Sequence, residues 1–526
     1  MPRSTRVLVS VALITGLATV VPVASEPPAA RAITPARFVS GWIPNWSSAV
    51  VTDGLGALTQ GYGALFADLS PFAFSAIGPA DIVTSGSEST LSAAVTAARA
   101  NHIPVIPTIT DGTGRLIMAG ILADDAQRAQ HVAAITNLVV SRGYDGIDLD
   151  YEGFAFNDGQ SSWAATRPNW ARFVIELGAS LHGNGKLLSV TVPPMWDGGS
   201  SGYWVYSWHD RNPQLDILPA VDRLRLMVYD WSVGKAGPVS PMSWVNNVLA
   251  FVKSAVPADQ LRKVQMGVPT YGRSWASVIS GSCPSGTSLA TVGVQMENVG
   301  SLLAKPGASV QRDASGEMKL VYDEVFTGSG TSAPPPPYVP PPNRSTEVAA
   351  ANSGGLSTAV RLGGATCTVR RTVYYPDDTT VVQHAQAAVA AGVSGVVFWA
   401  MGYETDTLWQ HLAGIDAPRP AGSTPIGSLD VAQSLPGSVR VAGWLMDPEV
   451  DLPITFTVSV NGGVSSGPLL ARVIRTDVAQ AVPGADPMHG FDVVVPVATP
   501  PGANVCVTAS GFGSGVTPTS ICRTAS

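Results

Sequence analysis

Four carboxylates crowd one short stretch, Tyr144-Asp145-Gly146-Ile147-Asp148-Leu149-Asp150-Tyr151-Glu152-Gly153. Side chains alternate along a β-strand, so Asp148, Asp150 and Glu152 share one face while Ile147, Leu149 and Tyr151 share the other. Such a strand suits a barrel: the apolar face packs outward on helices, and the acids climb inside toward the C-terminal rim, where barrel active sites lie. Like charges about 6.6 Å apart in a dry interior repel, so some must share protons. Sharing raises the pKa of at least one member, as a general acid working near neutral pH requires. Two other readings of the same acids are a divalent-metal site and a polar strand satisfied by neighbouring donors. No CxxC, HxxH or HExxH spacing occurs, so zinc is not expected; no metal and no cofactor is assigned.

The elements that would position these acids recur along the chain. Apolar, β-rich runs at 38–43, 69–75, 104–110, 146–151, 187–192, 224–229, 264–269 and 395–400 alternate with stretches of helical period, which predicts an α/β fold, an eight-stranded (β/α)₈ barrel. Residues 124–142 predict an amphipathic helix with Val132, Ile135, Leu138 and Val139 on one stripe and Gly143 as its stop. A second helix is expected over 169–181, carrying Trp170, Phe173, Val174, Leu177 and Leu181 inward. Between strands 7 and 8 an insertion of about 276–374 is far longer than an ordinary connection, and its proline run at 333–342 reads as an extended surface loop or cleft wall.

The expected organisation is a signal peptide at 1–32, a barrel at 33–416, a linker at 417–426 and a C-terminal all-β sandwich at 427–526. The first segment has Arg3 and Arg6, an apolar run at 7–21 that is short for a bilayer span, then small residues. After its cleavage no later run is long enough to cross a membrane, which implies a secreted or wall-associated protein, and a monomer is expected. A net charge of −7 without a dense basic patch argues against nucleic acid as a partner. Four cysteines allow three pairings; Cys283 with Cys367 and Cys506 with Cys522 is favoured because the others would tie separate domains together. Gly198-Gly199-Ser200-Ser201-Gly202 matches the G-x-S-x-G elbow formally but lacks its strand-to-helix context, so it reads as a loop. Asp216 and His209 are left open as cleft residues.

Asp145-Gly146-Ile147-Asp148-Leu149-Asp150-Tyr151-Glu152 resembles the DxxDxDxE signature of glycoside hydrolase family 18, with Tyr151 where chitinases often have Trp. Leu226-Met227-Val228-Tyr229-Asp230 resembles that family's sixth-strand MxYD, Gly267-Val268-Pro269-Thr270-Tyr271-Gly272-Arg273-Ser274-Trp275 its seventh-strand segment, and Gly395-Val396-Val397-Phe398-Trp399 its closing strand. The resemblance covers about residues 36–415. It implies roles at the matching positions. Glu152 would be general acid and then base, Asp150 would orient the substrate's own N-acetyl group for attack on the anomeric carbon, and Asp148 would hold Asp150. Tyr229 would hydrogen-bond the acetamide, Asp230 would bind or distort the sugar, and Trp399 would form the apolar floor. Tyr271 and Arg273 join the substrate-binding set and, with Asp145, act as supports of the site.

The implied substrate is a polysaccharide containing N-acetylglucosamine. The segments Gly41-Trp42-Ile43-Pro44-Asn45-Trp46 and 103–110 look more like bacterial spore-cortex and cell-wall glucosaminidases, which points to peptidoglycan, with chitin close behind. The rival class is a lectin-like, non-hydrolysing protein on the same barrel; such relatives typically lose the terminal acid, which here is present as Glu152. The C-terminal segment, with Trp444 and Phe491, resembles an all-β module of exported actinobacterial proteins, and its own role is not read from these residues.

Overall fold

Eight parallel strands form at the expected places in a computed structural model: Val39–Pro44, Phe66–Ala76, Thr108–Asp111, Gly146–Asp150, Leu187–Val192, Arg223–Leu226, Val264–Pro269 and Gly395–Trp399, hereafter strands 1 to 8. Each pairs with the next, and strand 1 pairs with both strand 2 and strand 8, which closes a (β/α)₈ barrel. The structure describes residues 38–526 except 102, 198–200, 211, 213, 259, 329–364, 414, 416–423, 448–452, 468, 483–487 and 510–517. The expected signal peptide at 1–32, the proline run at 333–342 and most of the linker at 417–426 lie outside the described residues.

Two strands are shorter than the sequence suggests. Strand 3 starts at Thr108, because Pro104 and Pro107 offer no N–H to a ladder; Val105 meets Leu69 only in an isolated bridge. Strand 6 stops at Leu226, and the chain turns away through Asp230, whose φ of 61° is left-handed.

The outer wall follows from the apolar parity of the strands. Ile147, Leu149 and Tyr151 are fully buried outside strand 4, beneath helices Asp125–Arg142 and Trp163–Gly183. The first helix is capped by Asp124, which accepts from the amides of Ala126 and Gln127, and stops at Gly143 at φ 67°. The second begins at Trp163 rather than at 169, so Pro168 sits inside its early turns. Trp170, Phe173, Val174, Leu177 and Leu181 are all at 0% exposure, as their spacing requires.

The insertion is a five-stranded antiparallel sheet that starts at the very end of strand 7. Its order is Val292–Gln295, Tyr271–Gly281, Thr366–Tyr375, Met318–Thr327, Ser309–Arg312, and the Cys283–Cys367 disulfide ties the chain just after Tyr271–Gly281 to the start of the neighbouring Thr366–Tyr375. The boundary at 276 was therefore late by five residues, since Tyr271–Gly281 is a single strand that carries both site residues and insertion. After the linker come two antiparallel sheets, one centred on Ser438–Met446 and one on Thr455–Val460 and Asn504–Ala509, which bury Leu429, Val441, Phe456 and Phe491 between them. Cys506 pairs with Cys522. Among the described residues no helix is long and apolar enough to cross a membrane.

Inside the barrel the packing is ionic as well as apolar. Arg225 on strand 6 is fully buried; its guanidinium donates to Asp68, to Ser70 Oγ (2.7 Å) and to Gln265 Oε1 (3.0 Å), and lies 3.4 Å from Asp148. Removing one member of a buried ionic group costs about 3–5 kcal/mol, so Arg225→Met should destabilise the barrel by that amount in denaturant unfolding. A loss under about 1 kcal/mol would show that Asp68 and Asp148 do not depend on this cation.

Six titratable groups shifted by desolvation, five of them buried and His209 half-buried, set the response to acid. Desolvation holds His131, His384 and His209 down to about 4. It lifts Asp111 to about 6 and Glu317 and Glu404 to about 7. The histidines subtract stability as pH falls from 6.5 toward 4, because the unfolded chain takes up protons that the fold refuses; the carboxyls do the reverse, adding stability as pH falls through 7 toward 4.5. Unfolding temperature should therefore stay nearly level between pH 6.5 and 4.5. His209→Phe, in a site lined by Trp208 and Phe251, should rise over the same interval relative to wild type when followed by calorimetry.

Candidate active site

The acidic strand is anchored from its lowest rung upward. Asp148 is fully buried and every direction around its carboxylate holds a donor: Trp42 Nε1 (2.8 Å) and Thr108 Oγ1 (2.9 Å) reach Oδ2, while Ser189 Oγ (2.5 Å) and Thr191 Oγ1 (2.9 Å) reach Oδ1. Parallel register puts these donors there, since Thr108 pairs with Asp148 on one side and Ser189 on the other. With Arg225 close by, the ladder meets a cation as well as other acids. Proton sharing, expected from like-charge repulsion alone, is thus not the only relief available at its base.

Asp150 lies one step higher, at 5% exposure, between Thr110 and Thr191 of the flanking strands. Glu152 follows, half-buried, but no longer in extended backbone: at φ −77°, ψ −13° it heads the short helix Gly153–Phe156. The segment between the two acids is pinned twice. Tyr206 Oη donates to the Tyr151 carbonyl (2.7 Å), and the Tyr151 hydroxyl meets His131 Nε2 (2.7 Å) on the outside of the barrel. Tyr206 is fully buried, and burial together with the nearby Glu152 and Asp150 pushes its pKa well above the usual phenol value. It therefore remains a neutral donor.

Tyr229 and Asp230 enter from the end of strand 6. A Cβ on Gly267 would stand 2.9 Å from the Tyr229 ring, so glycine in strand 7 makes room for that tyrosine. Asp230 is held in its left-handed conformation by three hydrogen bonds, from Tyr271 Oη (2.5 Å) and from Arg273 Nε (3.0 Å) and Nη2 (2.8 Å). Trp399 closes the base, buried against Phe72, Trp42 and Trp46 with ring centroids 5.0, 6.1 and 6.2 Å away.

Asp150, Glu152, Tyr229 and Asp230 converge on one cavity of about 490 Å³ at the C-terminal mouth. These four, with Phe72 and Met227, also line a deep recess of about 30 Å³ that reaches Trp42, Thr191, Tyr271 and Trp399. Asp148 and Arg273 stand behind this surface, Arg273 through Asp230. Asp145 is remote from it, accepting from the Val105 amide (2.8 Å) at the start of strand 4. His209 and Asp216 do not line either space: His209 packs on Phe251 and Asp216 accepts from the Leu218 amide. The G-x-S-x-G segment falls in a hairpin, Met195–Trp196 against Ser201–Gly202, with 198–200 outside the described residues.

Several lining residues escaped the sequence reading. Trp196, Tyr203, Trp231 and Trp244 form an aromatic wall away from Trp399, and Tyr206 works from behind. Their one signal was the aromatic density of 203–206 and Trp231 directly after Asp230. Among the described residues no group of three or more His, Cys, Asp or Glu is arranged to hold a metal ion.

Known proteins share this architecture. A cortical fragment-lytic enzyme of Bacillus anthracis is 29% identical over 185 residues, 34% of this chain and 39% of that protein. The chain thus spans about two fifths of the length of the curated relatives it matches. In three dimensions the barrel resembles a chitinase from Chromobacterium violaceum, with 20% identity and a TM-score of 0.51 over 73% of this chain and 100% of that one. It also resembles the Bacillus cereus spore cortex-lytic enzyme SleL, with 16% identity and a TM-score of 0.52 over 74% of this chain and 75% of the other. At those identities the likeness is one of fold. The profile of Glycosyl hydrolases family 18 matches residues 72–404, which takes in the second half of strand 2, strands 3 to 8 and every residue of the cavity named above except Trp42, and the chain belongs to that family.

Proposed function

We propose that this protein is a secreted glycosidase that cuts β-1,4-linked polysaccharide containing N-acetylglucosamine, chitin or peptidoglycan, with retention at the anomeric carbon. The observation that carries the reading is the convergence of Asp150, Glu152, Tyr229 and Asp230 on one cavity with Trp399 at its base.

Glu152, at the mouth, protonates the glycosidic oxygen as its bond to the anomeric carbon breaks, and the departing chain leaves as an alcohol. The acetamide oxygen of the same sugar forms the new bond to that carbon from the opposite face, giving a cyclic oxazolinium ion. In this reading Asp150 steadies the acetamide N–H, and the Tyr229 hydroxyl hydrogen-bonds the acetamide oxygen. Glu152, now a carboxylate, takes a proton from water; the water oxygen attacks the anomeric carbon, the ring reopens, and the original configuration returns. Trp399 supports the apolar face of the ring. The names of the relatives, a cortical fragment-lytic enzyme and a chitinase, support both polymers. The two disulfides suit an oxidising compartment outside the cytoplasm.

Hydrolysis of chitin oligosaccharides and of purified peptidoglycan, with the new sugar ends identified by mass, tests the reading. Glu152→Gln should lower kcat by about 10²–10⁴ with binding retained. Binding without cleavage by the wild type would instead favour a lectin-like protein. Tyr271→Phe removes one of the hydrogen bonds to Asp230, and a hydrogen bond to a charged group is worth about 1.5–3 kcal/mol. The variant should fold but lose at least about tenfold in kcat/KM, together with up to about 1.5–3 kcal/mol of stability in denaturant unfolding. An unchanged kcat/KM would remove Asp230 from the sugar-binding set.

A further inference from the structure

Glu317 has no part in the chemistry above, yet it is fully buried and ionisable. It sits where the insertion hairpin Ser309–Arg312 and Met318–Thr327 turns, far along the chain from the barrel loop it touches. Its Oε2 accepts from the Val239 amide (2.9 Å) and its Oε1 from the Ser240 amide. Those two amides belong to the return limb of the loop that leaves strand 6 and carries Tyr229, Asp230 and Trp231.

The rest of the loop is tied to this limb. Trp231 N donates to the Val239 carbonyl (2.8 Å), Ser240 Oγ donates to the Val228 carbonyl (2.6 Å), and Met242 N donates to the Ser315 carbonyl of the same hairpin (3.0 Å). Trp244 follows in the first turn of helix Met242–Ala255, 5.2 Å from the Trp231 ring. Asp230 has a separate anchor, Tyr271 and Arg273. Two supports thus divide the loop: one holds the carboxylate that faces the deep recess, the other holds the tryptophans on the far side of the cavity. Burying a carboxyl group has a desolvation cost, and without it two buried amides would lose their acceptors.

We infer that Glu317 is a positioning residue that fixes Trp231 and Trp244 as a stacking wall for sugar units beyond the one over Trp399, so the insertion sets how strongly a long chain is preferred over a short one. This rests on the glycosidase reading. Losing the ordered aromatic face beneath a stacked ring should weaken affinity roughly tenfold, about 1.4 kcal/mol.

The test compares the full chain with Glu317→Gln, which keeps the volume but turns a donor toward one of the two amides, and with Glu317→Ala. An aryl chitobioside serves as the short substrate; chitohexaose or soluble peptidoglycan strands, whichever the wild type cuts, serve as the long one. For the long substrate KM should rise about tenfold with kcat within about threefold, while kcat/KM for the short one stays within about threefold. Hydrogen exchange at the Val239 and Ser240 amides should quicken at least about tenfold in any variant that folds. Equal losses on both substrates, or faster exchange with no change in KM for the long one, overturn the inference. If the wild type cuts neither substrate, the glycosidase reading falls by itself; chitohexaose binding by calorimetry then decides the role of Glu317, and equal Kd values for wild type and variants reject it.

Discussion

Everything at the mouth of this barrel depends on how its floor carries charge. Asp68 and Asp148 are both fully buried, and Arg225 lies between them as a buried cation, with Arg223 a further 3.9 Å contact to Asp68. An isolated carboxylate there would be driven to neutrality by loss of hydration, but paired and surrounded by Ser, Thr, Gln and Trp donors it has a defined orientation. Arg225 suits this place better than lysine would, because its planar fork reaches Asp68, Ser70 and Gln265 at once while its face lies over Trp42, 5.5 Å from the ring. Trp42 in turn donates to Asp148. The lowest rung of the acid ladder is thus locked to strands 1, 3, 5 and 6 together, and the upper rungs inherit its placement along the strand.

The upper rungs need a second kind of support, since they face open space on one side. It comes from behind the peptide rather than from the cavity. Tyr206 and His131 grip residue 151 at its carbonyl and at its ring, so neither Asp150 nor Glu152 can rotate by sliding the segment between them. Rigid placement of this type matters because reacting groups lose much of their effect when displaced by about 1 Å. The groups that do the gripping are kept neutral by burial: the Tyr206 hydroxyl is pushed far above the usual phenol range and the His131 ring down to about 4. They hold position without adding charge beside the acids.

How much of this was legible in the sequence follows from the range of each signal. Alternation within 146–152 told which acids share a face, because strand periodicity is local. The strands were legible for the same reason, though the ends of strands 3 and 6 were not: Pro104 and Pro107 remove ladder donors, and the turn at Asp230 depends on partners more than 40 positions away. Arg225, in Leu224-Arg225-Leu226, has the inward parity but no local mark of a partner; its acceptor Asp68 is 157 positions distant. The proline run drew attention to the insertion, yet its working part is Tyr271–Gly281, which a boundary at 276 cut in two. Pro168 likewise delayed the expected start of a helix that tolerates it near its first turns. The aromatic wall comes from two loops and the first turn of a helix, so no single window of sequence displays it.

Backbone strain in the cavity is placed where it has an external reason to persist. A non-glycine residue at φ 61° costs on the order of 1–3 kcal/mol, and Asp230 adopts it beside Glu152 and Tyr229. Relaxing to a right-handed conformation would swing the carboxylate away from Arg273 and Tyr271 and leave a buried guanidinium without its bidentate partner. Both of those partners come from the first residues of the insertion sheet, so the sheet that walls the cleft also holds the strained turn. The barrel alone would supply the acids of strand 4. An aimed carboxylate at the end of strand 6 requires the insertion, which explains in physical terms why a single strand runs unbroken from the site into that sheet.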